Sequence, residues 1–340
     1  MITFAVIGYG RIGERHARLI EEHPDVRLAG AFDIQQDRLK IFHGIFPDKK
    51  VYSSFEEVLA DDQVQIVSIC TPNYNHASLS IEALQHGKHV LVEKPMAISR
   101  EDCARMIEAS LASNKSLFVV KQNRFNPPVQ AVKNLLEKDK LGRILSVAVN
   151  CYWNRSESYY RSSDWKGIKA LDGGTLFTQF SHFIDILYYF FGDIEILYAH
   201  LTNANHAGLI EFEDTGVVTF LLKSHHAVGV IHYTTNAFHH NMEGSITIFA
   251  ERATIKIGGP YLNKIVYEAT DGFETGPLPE SNPPNQYGDY EGSMSNHERV
   301  IDHVIRSLQG DHVTAQTNIY DALKTVEIIE NIYNIAVHDR

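Results

Sequence analysis

The chain has 340 residues, 44% of them hydrophobic and 21% charged, and a formal net charge of −11 at pH 7. This composition is typical of a globular protein, and the length allows two domains of ordinary size. The acidic balance argues against nucleic-acid binding, and no apolar run reaches the roughly 18 residues that cross a membrane. No basic leader or cleavage site precedes the first apolar run, so we predict a cytoplasmic protein.

The cysteines and the paired histidines give no metal-binding pattern. Cys70, Cys103 and Cys151 are odd in number and far apart, and no Cys-x-x-Cys pair occurs. The pairs His225-His226 and His239-His240 lack a carboxylate at ligand spacing. We therefore predict neither a disulfide framework nor a metal site.

The first 121 residues alternate predicted strands and helices. The predicted strands lie at 2–7, 26–32, 51–52, 64–70, 89–93 and 117–121, and amphipathic segments fill most of the intervals. This alternation is typical of right-handed crossovers in an open, doubly wound parallel sheet. We predict an α/β fold in which residues 1–121 form a Rossmann domain.

The first predicted strand continues into Gly8-Tyr9-Gly10-Arg11-Ile12-Gly13, which fits the pattern G-x-G-x-x-G. Gly8 permits a tight turn, Gly10 lets a pyrophosphate approach the backbone, and Gly13 lets the helix pack closely on the strand. The phosphates are then held by the N-terminus of the following helix. The segment predicts dinucleotide binding, with a purely structural turn as the alternative.

Asp33 stands at the end of the second strand, twenty residues after Gly13. A carboxylate at this point accepts hydrogen bonds from the adenosine ribose and repels a 2′-phosphate. The next three residues, 34–36, supply no arginine that would bind such a phosphate. We predict NAD as the cofactor, and a helix N-cap role for Asp33 is the alternative.

Two more strand ends carry polar residues. Thr71-Pro72-Asn73 follows the fourth predicted strand, and Thr and Asn side chains there can bond a ribose. His76 either contacts the cofactor or only begins the next helix. Glu93-Lys94-Pro95 closes the fifth strand, where an ammonium group can stabilise a developing alkoxide. Glu93 can orient Lys94 or a ribose. Pro95 can hold the bend after the strand, and the Lys94–Pro95 peptide bond is a candidate for the cis form.

The second half of the chain has a different pattern. Alternating segments predict strands at 144–152, 194–203, 217–223, 228–235, 245–250 and 254–257, with helices near 175–191, 296–308 and 319–335 and a loop at 271–292. This predicts an α+β domain over residues 122–340, with a large, mostly antiparallel open sheet. We assign substrate binding and oligomerisation to this domain. Its broad sheet face predicts a homo-oligomer, either a dimer or a tetramer.

A basic and aromatic segment begins this domain. Arg155, Arg161, Lys166 and Lys169 are suited to a carboxylate or a diphosphate, and Tyr159, Tyr160 and Trp165 to stacking on a sugar or a base. The alternative is a mobile surface loop.

The motifs together resemble the Gfo/Idh/MocA oxidoreductases. The resemblance is carried by Gly8–Gly13, Thr71-Pro72-Asn73 with His76, Ala83–Val90 and Glu93-Lys94-Pro95, and it extends over essentially the whole chain. It implies that Lys94 and His182 are catalytic, with His182 as general base in the segment Gly173–Asp185. Many sugar and inositol dehydrogenases of the family have aspartate where this chain has Thr178. Asp185 then either orients His182 or faces solvent.

Within the family, four features resemble the branch that oxidises UDP-N-acetylglucosaminuronic acid at C3 in lipopolysaccharide sugar biosynthesis. They are Gln122–Pro127, the segment from Tyr159 to Gly167, the non-acidic Thr178, and Ser295-Asn296-His297. The resemblance implies cofactor contacts by Gly8, Gly10, Arg11, Ile12, Gly13, Asp33, Thr71, Pro72, Asn73, His76, Glu93, Lys94, Gln122 and Trp165. It implies substrate contacts by Lys94, Arg124, Arg155, Tyr160, Arg161, Lys166, Thr178, Gln179 and His182. Some members of this branch recycle bound NAD with 2-oxoglutarate, and this chain leaves that question open.

Three alternatives remain at this point. The first is an NAD-dependent dehydrogenase of a free cyclitol or monosaccharide. The second is an NAD-binding regulator without turnover, against which Lys94 and His182 argue. The third is an NAD-dependent glycosidase of the same family.

Overall fold

The computed structural model describes residues 1–286, 291–311 and 318–338. Its strands are β1 (Ile2–Ile7), β2 (Val26–Phe32), β3 (Lys50–Val51), β4 (Ile66–Ile69), β5 (His89–Val92), β6 (Leu117–Val119), β7 (Ile144–Tyr152), β8 (Ile194–Thr202), β9 (Thr215–Leu222), β10 (Ala227–Thr234), β11 (Glu243–Ala250), β12 (Ala253–Gly258), β13 (Lys264–Thr270), β14 (Pro284–Gln286), β15 (Glu291–Met294) and β16 (Val337–His338). Its helices are α1 (Arg11–Glu22), α2 (Gln36–Ile45), α3 (Phe55–Ala60), α4 (His76–Gln85), α5 (Arg100–Ser113), α6 (Pro127–Glu137), α7 (Glu157–Arg161), α8 (Lys169–Asp172), α9 (Thr175–Thr178), α10 (Ser181–Phe191), α11 (His297–Leu308) and α12 (Ile319–Ile335). None of these helices is both long and apolar enough to span a bilayer.

The chain divides into two compact units. One consists of Met1–Val120 and His297–Leu323, and the other of Lys121–Asn296 and Lys324–Arg340. The sequence-based division between residues 121 and 122 did not anticipate that the segment from His297 packs with the first unit. Helix α11 is amphipathic, and it contacts α1 of that unit. Such a contact joins residues almost the whole chain apart, so local periodicity does not reveal it.

The first unit contains a six-stranded sheet in the order β3-β2-β1-β4-β5-β6. All neighbouring strands pair in parallel. The residues of β1, β4 and β5 are almost all buried, as expected for strands covered on both faces. The strand order reverses between β1 and β4, and dinucleotides bind at the carboxyl ends of strands at such a reversal. The predicted doubly wound sheet is confirmed.

The second unit contains an eight-stranded sheet in the order β13-β12-β11-β7-β10-β9-β8-β16. Neighbouring strands are antiparallel except for the pairs β7–β10 and β8–β16, so the predicted mostly antiparallel sheet is confirmed. Strand β13 was not predicted, because it has no fully buried side chain and therefore no apolar alternation. The predicted loop at 271–292 was wrong at its end, where β14 pairs with β15. Residues 287–290 of that loop lie outside the described residues.

One face of the large sheet carries partly exposed apolar side chains. The pairing register places Tyr198, Val217, Val228, Phe249 and Tyr267 on this face. Each of them is at least 38% exposed. Because five large apolar side chains share one surface, this face is suited to contact with another molecule.

A buried carboxyl group, Glu213, lies inside the second unit. The hydroxyls of Tyr233 and Tyr333 donate hydrogen bonds to its Oε1 at 3.0 and 2.8 Å. Burial raises the pKa of Glu213 to about 7, although these hydrogen bonds act in the opposite direction. Tyr333 also packs against Gly174, which has a φ of +127° and where a Cβ would overlap the phenolic oxygen. Only glycine fits at position 174 in this conformation.

Glu213→Gln is expected to remove a pH dependence of stability. A carboxyl group with a raised folded-state pKa stabilises the fold fully below its unfolded-state pKa, and this contribution is lost as the pH rises through about 7. Between about pH 4 and pH 8, wild type should lose on the order of 3 kcal/mol of unfolding free energy relative to the variant. Urea unfolding at several pH values measures the difference, and parallel curves for the two proteins would contradict the expectation.

Candidate active site

The glycine segment forms the turn between β1 and α1. Glu14 donates its backbone N–H to the carbonyl of Gly10 at 2.9 Å, so α1 begins directly after the turn. A Cβ at Gly13 would overlap the carbonyl oxygen of Gly8, so the helix can approach the strand only with glycine there. Arg11 is exposed and Ile12 is half-exposed at this helix N-terminus. The loop therefore leads directly into a helix N-terminus, which is the arrangement that binds a pyrophosphate in dinucleotide-binding folds.

Asp33 anchors this loop from the end of β2. Its Oδ2 accepts the backbone N–H of Tyr9 at 2.6 Å, and its Oδ1 accepts that of Gln35 at 2.7 Å. Each carboxylate oxygen keeps a second lone pair for a ribose hydroxyl. The structure also brings Arg38 close, with Nη1 at 3.7 Å from Oδ2. Sequence reasoning missed Arg38, because the first turn of α2 returns it toward Asp33.

The strand ends of β4 and β5 are linked through His76. Its Nδ1 lies 2.7 Å from the carbonyl oxygen of Pro95, and its Nε2 lies 2.9 Å from that of Thr71. The pKa of His76 is lowered, mainly by burial. Asn73 is also buried, in a short 3-10 helix, whereas Pro72 is half-exposed. His76 both begins α4 and fixes the backbone at the carboxyl edge of the sheet.

Glu93-Lys94-Pro95 follows β5 at the same edge. The Lys94–Pro95 peptide bond is cis. Lys94 is half-exposed between the buried Glu93 and Pro95. The backbone N–H of Lys94 donates to Oε2 of Glu93 at 3.2 Å, so the glutamate side chain folds back onto the next peptide group.

In the second unit, the glycine-rich segment leads into two helices rather than one. The predicted helix near 175–191 is interrupted between α9 and α10, where Phe180 inserts its ring into the core beside Trp153 and Tyr233. Thr178 ends α9, and its hydroxyl donates to the carboxylate of Asp172. Thr178 and His182 therefore do not lie on one continuous helix. Asp172 is a carboxylate that sequence reasoning missed, because it lies outside the motif.

His182 is buried in the first turn of α10. Its Nε2 lies 3.4 Å from the hydroxyl of Ser293, which accepts a hydrogen bond from Nε2 of Gln122 at 2.8 Å. The structure thus brings together His182 and Gln122, which the sequence had assigned to catalysis and to cofactor binding. Ser293 joins them from β15, a strand that was not predicted.

A buried cluster of charged side chains surrounds Asp185, which lies on α10 with His182. Arg124 donates from Nε and Nη2 to the two carboxylate oxygens of Asp185, both at 2.8 Å, and Nζ of Lys121 lies 2.7 Å from Oδ1. Burial alone would raise the pKa of Asp185, but Arg124 and Lys121 hold it below its ordinary value. Asp185 therefore does not face solvent. Arg124, predicted to bind substrate, is 1% exposed and directs this pair of donors to Asp185.

Residues from the basic and aromatic segment are packed into the second unit. Arg155 is buried and donates from Nε to Oε1 of Gln179 at 2.6 Å. Gln179 in turn donates to the hydroxyl of Tyr159 at 2.7 Å. Tyr159 and Tyr160 belong to a buried apolar cluster with Ile210 and Phe212. The alternative of a mobile surface loop is therefore wrong for these residues, and the stacking surfaces of both tyrosines face other protein groups.

The four basic residues of this segment separate into two pairs. The Arg155 guanidinium carbon lies 5.2 Å and Nζ of Lys166 lies 4.2 Å from the ring centre of Tyr159. Arg161 and Lys169 are exposed instead, and Arg161 pairs with Glu157 at 2.5 Å. Trp165 is half-buried. Positive charge is therefore concentrated around Tyr159.

Two family models match the chain. An oxidoreductase family model with an NAD-binding Rossmann fold matches residues 2–121, and the GFO/IDH/MocA C-terminal domain matches residues 129–256. The chain belongs to the Gfo/Idh/MocA oxidoreductase family. The predicted resemblance and the predicted cofactor, NAD, are confirmed.

Several solved structures and curated proteins are similar to this chain. The WlbA dehydrogenase of Bordetella pertussis, solved with NADH and UDP-GlcNAcA, is 33% identical, has a TM-score of 0.85, and is matched over 98% of this chain and 95% of that chain. The WlbA dehydrogenase of Chromobacterium violaceum, solved with the same ligands, is 32% identical, with a TM-score of 0.87 and coverage of 98% and 93%. Myo-inositol 2-dehydrogenase of Thermotoga maritima is 28% identical over 75% of this chain and 74% of its own length. The chain spans only 40% to 64% of the length of four other curated relatives.

Asp33→Ser is expected to weaken NAD binding and to relax discrimination against NADP. The change removes the ribose acceptor and the charge that repels a 2′-phosphate, while Arg38 stays nearby. We expect the Kd for NAD to rise about tenfold, as for the loss of one charge-assisted hydrogen bond. Titration calorimetry with both cofactors measures this.

The double variant Asp33→Ser/Arg38→Ala is the control for the role of Arg38. Its NADP affinity should fall below that of Asp33→Ser. An unchanged NADP affinity in Asp33→Ser would contradict the assignment of Asp33.

Proposed function

We propose that this protein is an NAD-dependent dehydrogenase that oxidises a ring hydroxyl of a sugar. The observation that carries the proposal is Lys94, which lies two residues after the end of β5 at the carboxyl edge of the NAD-binding sheet, with its backbone N–H bonded to Glu93. Dinucleotides bind along this edge, so an ammonium group there is suited to a substrate oxygen beside the cofactor. The glycine turn at Gly8–Gly13, which ends at the N-terminus of α1, and the carboxylate of Asp33 suit the pyrophosphate and the ribose of NAD.

The chemistry divides between the cofactor and the protein. NAD, when bound, supplies the hydride acceptor. His182 acts as general base on the substrate hydroxyl, since an imidazole accepts a proton near neutral pH. Lys94 stabilises the negative charge that develops on that oxygen. Ser293 and Gln122 restrain the His182 ring through its Nε2.

For the substrate, we propose UDP-N-acetylglucosaminuronic acid, oxidised at C3 to the 3-keto sugar for lipopolysaccharide biosynthesis. The two WlbA dehydrogenases support this choice, because they match nearly the whole chain and were solved with UDP-GlcNAcA. The positive charge of Arg155 and Lys166 around Tyr159 also suits an anionic substrate. We retain as proposed contacts the cofactor and substrate residues implied by the family resemblance. Arg124 has the weakest support, because it already pairs with Asp185.

A cyclitol or monosaccharide dehydrogenase is the second candidate. It is supported by the myo-inositol 2-dehydrogenase of Thermotoga maritima, which matches three quarters of the chain. The two candidates differ in whether the substrate must carry negative charge.

We also propose that a second copy of the chain covers the apolar sheet face defined by Tyr198, Val217, Val228, Phe249 and Tyr267. An exposed apolar face of this extent on a separate chain would favour nonspecific association. A homodimer or homotetramer would bury it.

A substrate panel tests the proposed function. Wild type is incubated with NAD and either UDP-N-acetylglucosaminuronic acid, the neutral UDP-N-acetylglucosamine, myo-inositol or glucose, with 2-oxoglutarate added or omitted. We expect the acidic nucleotide sugar to exceed the others in kcat/KM by about 10²-fold or more, because a buried polar site rejects a substrate that leaves its groups unpaired. NADH absorbance and mass spectrometry of the 3-keto product measure turnover, and the 2-oxoglutarate arm shows whether NAD is recycled.

Lys94→Ala and His182→Asn are the matching variants. Each should lower kcat by about 10²-fold or more. The Kd for NAD should stay within about threefold in His182→Asn, and it should rise by up to about tenfold in Lys94→Ala, which also removes a proposed cofactor contact. Lys40→Ala is the control, because Lys40 is an exposed lysine of the same unit. Comparable oxidation of myo-inositol would favour the second candidate. NAD binding without turnover of any substrate would favour a regulator.

Val228→Arg tests the oligomer. Val228 lies on β10 near the centre of the sheet, and a charge there is expected to reduce the molar mass measured by light scattering to that of one chain. Leu111→Arg, at an exposed position of the first unit, should leave the mass unchanged. A monomeric wild type would contradict the proposal.

A further inference from the structure

Two buried histidines of the first unit meet at the buried carboxylate of Glu93. His16 comes from α1, His297 from the start of α11, and each is 1% exposed. Nε2 of His16 lies 3.0 Å and Nε2 of His297 lies 3.3 Å from Oε1 of Glu93. The other ring nitrogen of His16 lies 2.7 Å from the hydroxyl of Ser68 on β4. Both histidines therefore reach the same carboxylate oxygen from different elements.

The second carboxylate oxygen of Glu93 is hydrogen-bonded to the backbone of Lys94. Oε2 accepts the backbone N–H of Lys94 at 3.2 Å. One residue further on, the carbonyl of Pro95 lies 2.7 Å from Nδ1 of His76. The backbone is thus held on both sides of the Lys94 side chain.

The charges in this cluster balance inside the protein. Burial alone would raise the pKa of Glu93, but His16 and His297 hold it well below its ordinary value, so the carboxylate is ionised. Burial alone would lower the pKa of His16, yet Cys70 and Glu93 raise it to about 10. Burial lowers the pKa of His297. One imidazolium therefore compensates one carboxylate, and a neutral imidazole completes the group.

We propose that His16 and His297 are positioning residues for Lys94. They fix the Glu93 carboxylate, which in turn fixes the backbone from which the Lys94 ammonium extends. The proposal rests on the proposed function in one respect, namely that Lys94 acts on the substrate.

His16, Glu93 and His297 are also a candidate for a metal site, which the sequence did not predict. Their ligand atoms lie within 4.8 Å of one another. A transition metal binds neutral imidazoles, however, and zinc takes four ligands. The 3.0 Å separation between His16 and Glu93 is that of a charge-assisted hydrogen bond, and Nε2 of His297 adds a polar contact at 3.3 Å, so the interaction of two imidazoles with one carboxylate accounts for the cluster.

Paired variants at each histidine test the proposal. Leucine removes the contact with Glu93, whereas glutamine places an amide N–H near the former Nε2. We expect His297→Leu and His16→Leu to lower kcat about 10- to 10²-fold with the Kd for NAD within about threefold, because small displacements of a catalytic group cost up to about 10²-fold. His297→Gln should recover most of that loss. His16→Gln should recover less, because it restores the donor without the positive charge.

His303→Gln is the control for loss of a buried histidine in α11. It should lower the urea midpoint at most and leave kcat unchanged. Reduced stability in the leucine variants with an unchanged kcat would show a purely structural role and overturn the proposal. One bound zinc per chain in purified wild type, lost in both leucine variants, would overturn it as well.

A second measurement does not depend on turnover. With selective ¹⁵N-lysine labelling, hydrogen exchange of the Lys94 amide reports whether the Glu93 carboxylate still accepts it. Exchange should accelerate about tenfold or more in His16→Leu and His297→Leu, since each removes a restraint on that carboxylate. It should stay unchanged in His303→Gln. Unchanged exchange in the leucine variants would refute the positioning role.

The two proposals fail in different ways. If wild type oxidises no sugar, the proposed function fails, while amide exchange at Lys94 still decides whether the histidines restrain it. If wild type is active and Lys94→Ala is equally active, the catalytic role of Lys94 fails on its own.

Discussion

Ionised carboxylates that are buried beside the proposed proton-handling residues constrain both units of the chain. Glu93 precedes Lys94 in the first unit, and Asp185 follows His182 by one turn of α10 in the second. A buried charge without a partner destabilises a fold by several kcal/mol, about 3–5 when one partner of a pair is removed. Each carboxylate is therefore surrounded by cations or imidazoles from distant segments. The placement of Lys94 and His182, the proposed catalytic residues, is therefore coupled to electrostatic neutrality in the interior.

A residue in a recognised motif can have a structural role that the motif does not indicate. Arg124 belongs to a segment that resembles a substrate-binding branch of the family, yet its side chain is one of the most deeply buried in the protein. Its planar donor pair matches the two oxygens of Asp185. Arg155 likewise donates hydrogen bonds to the side chain of Gln179 and to the carbonyl of Asn154. Such residues hold neighbouring segments of the second unit in place.

Sequence patterns predicted most of the fold and the identity of the cofactor, because both depend on local signals. Buried parallel strands read as continuous apolar runs, and the glycine spacing at Gly8–Gly13 follows from close backbone approach. The misses have a common cause, which is that they depend on contacts between residues far apart in the chain. His16 occupied an apolar position of a helix pattern, and nothing in its neighbourhood indicated that Glu93 and His297 would meet it. Strand β13 and the break between α9 and α10 were missed because exposure and core packing override local periodicity.

The contact between Gly174 and Tyr333 links the glycine-rich segment before α9 to α12, the last helix of the described chain. Any side chain at position 174 would need a smaller residue at 333. A smaller residue there would also withdraw one of the two phenolic donors of Glu213. Positions 213 and 333 are therefore coupled through the phenol of Tyr333, and glycine is required at 174 in any case because a φ of +127° strains every other residue. Related sequences should vary at 213 and 333 together and retain glycine at 174.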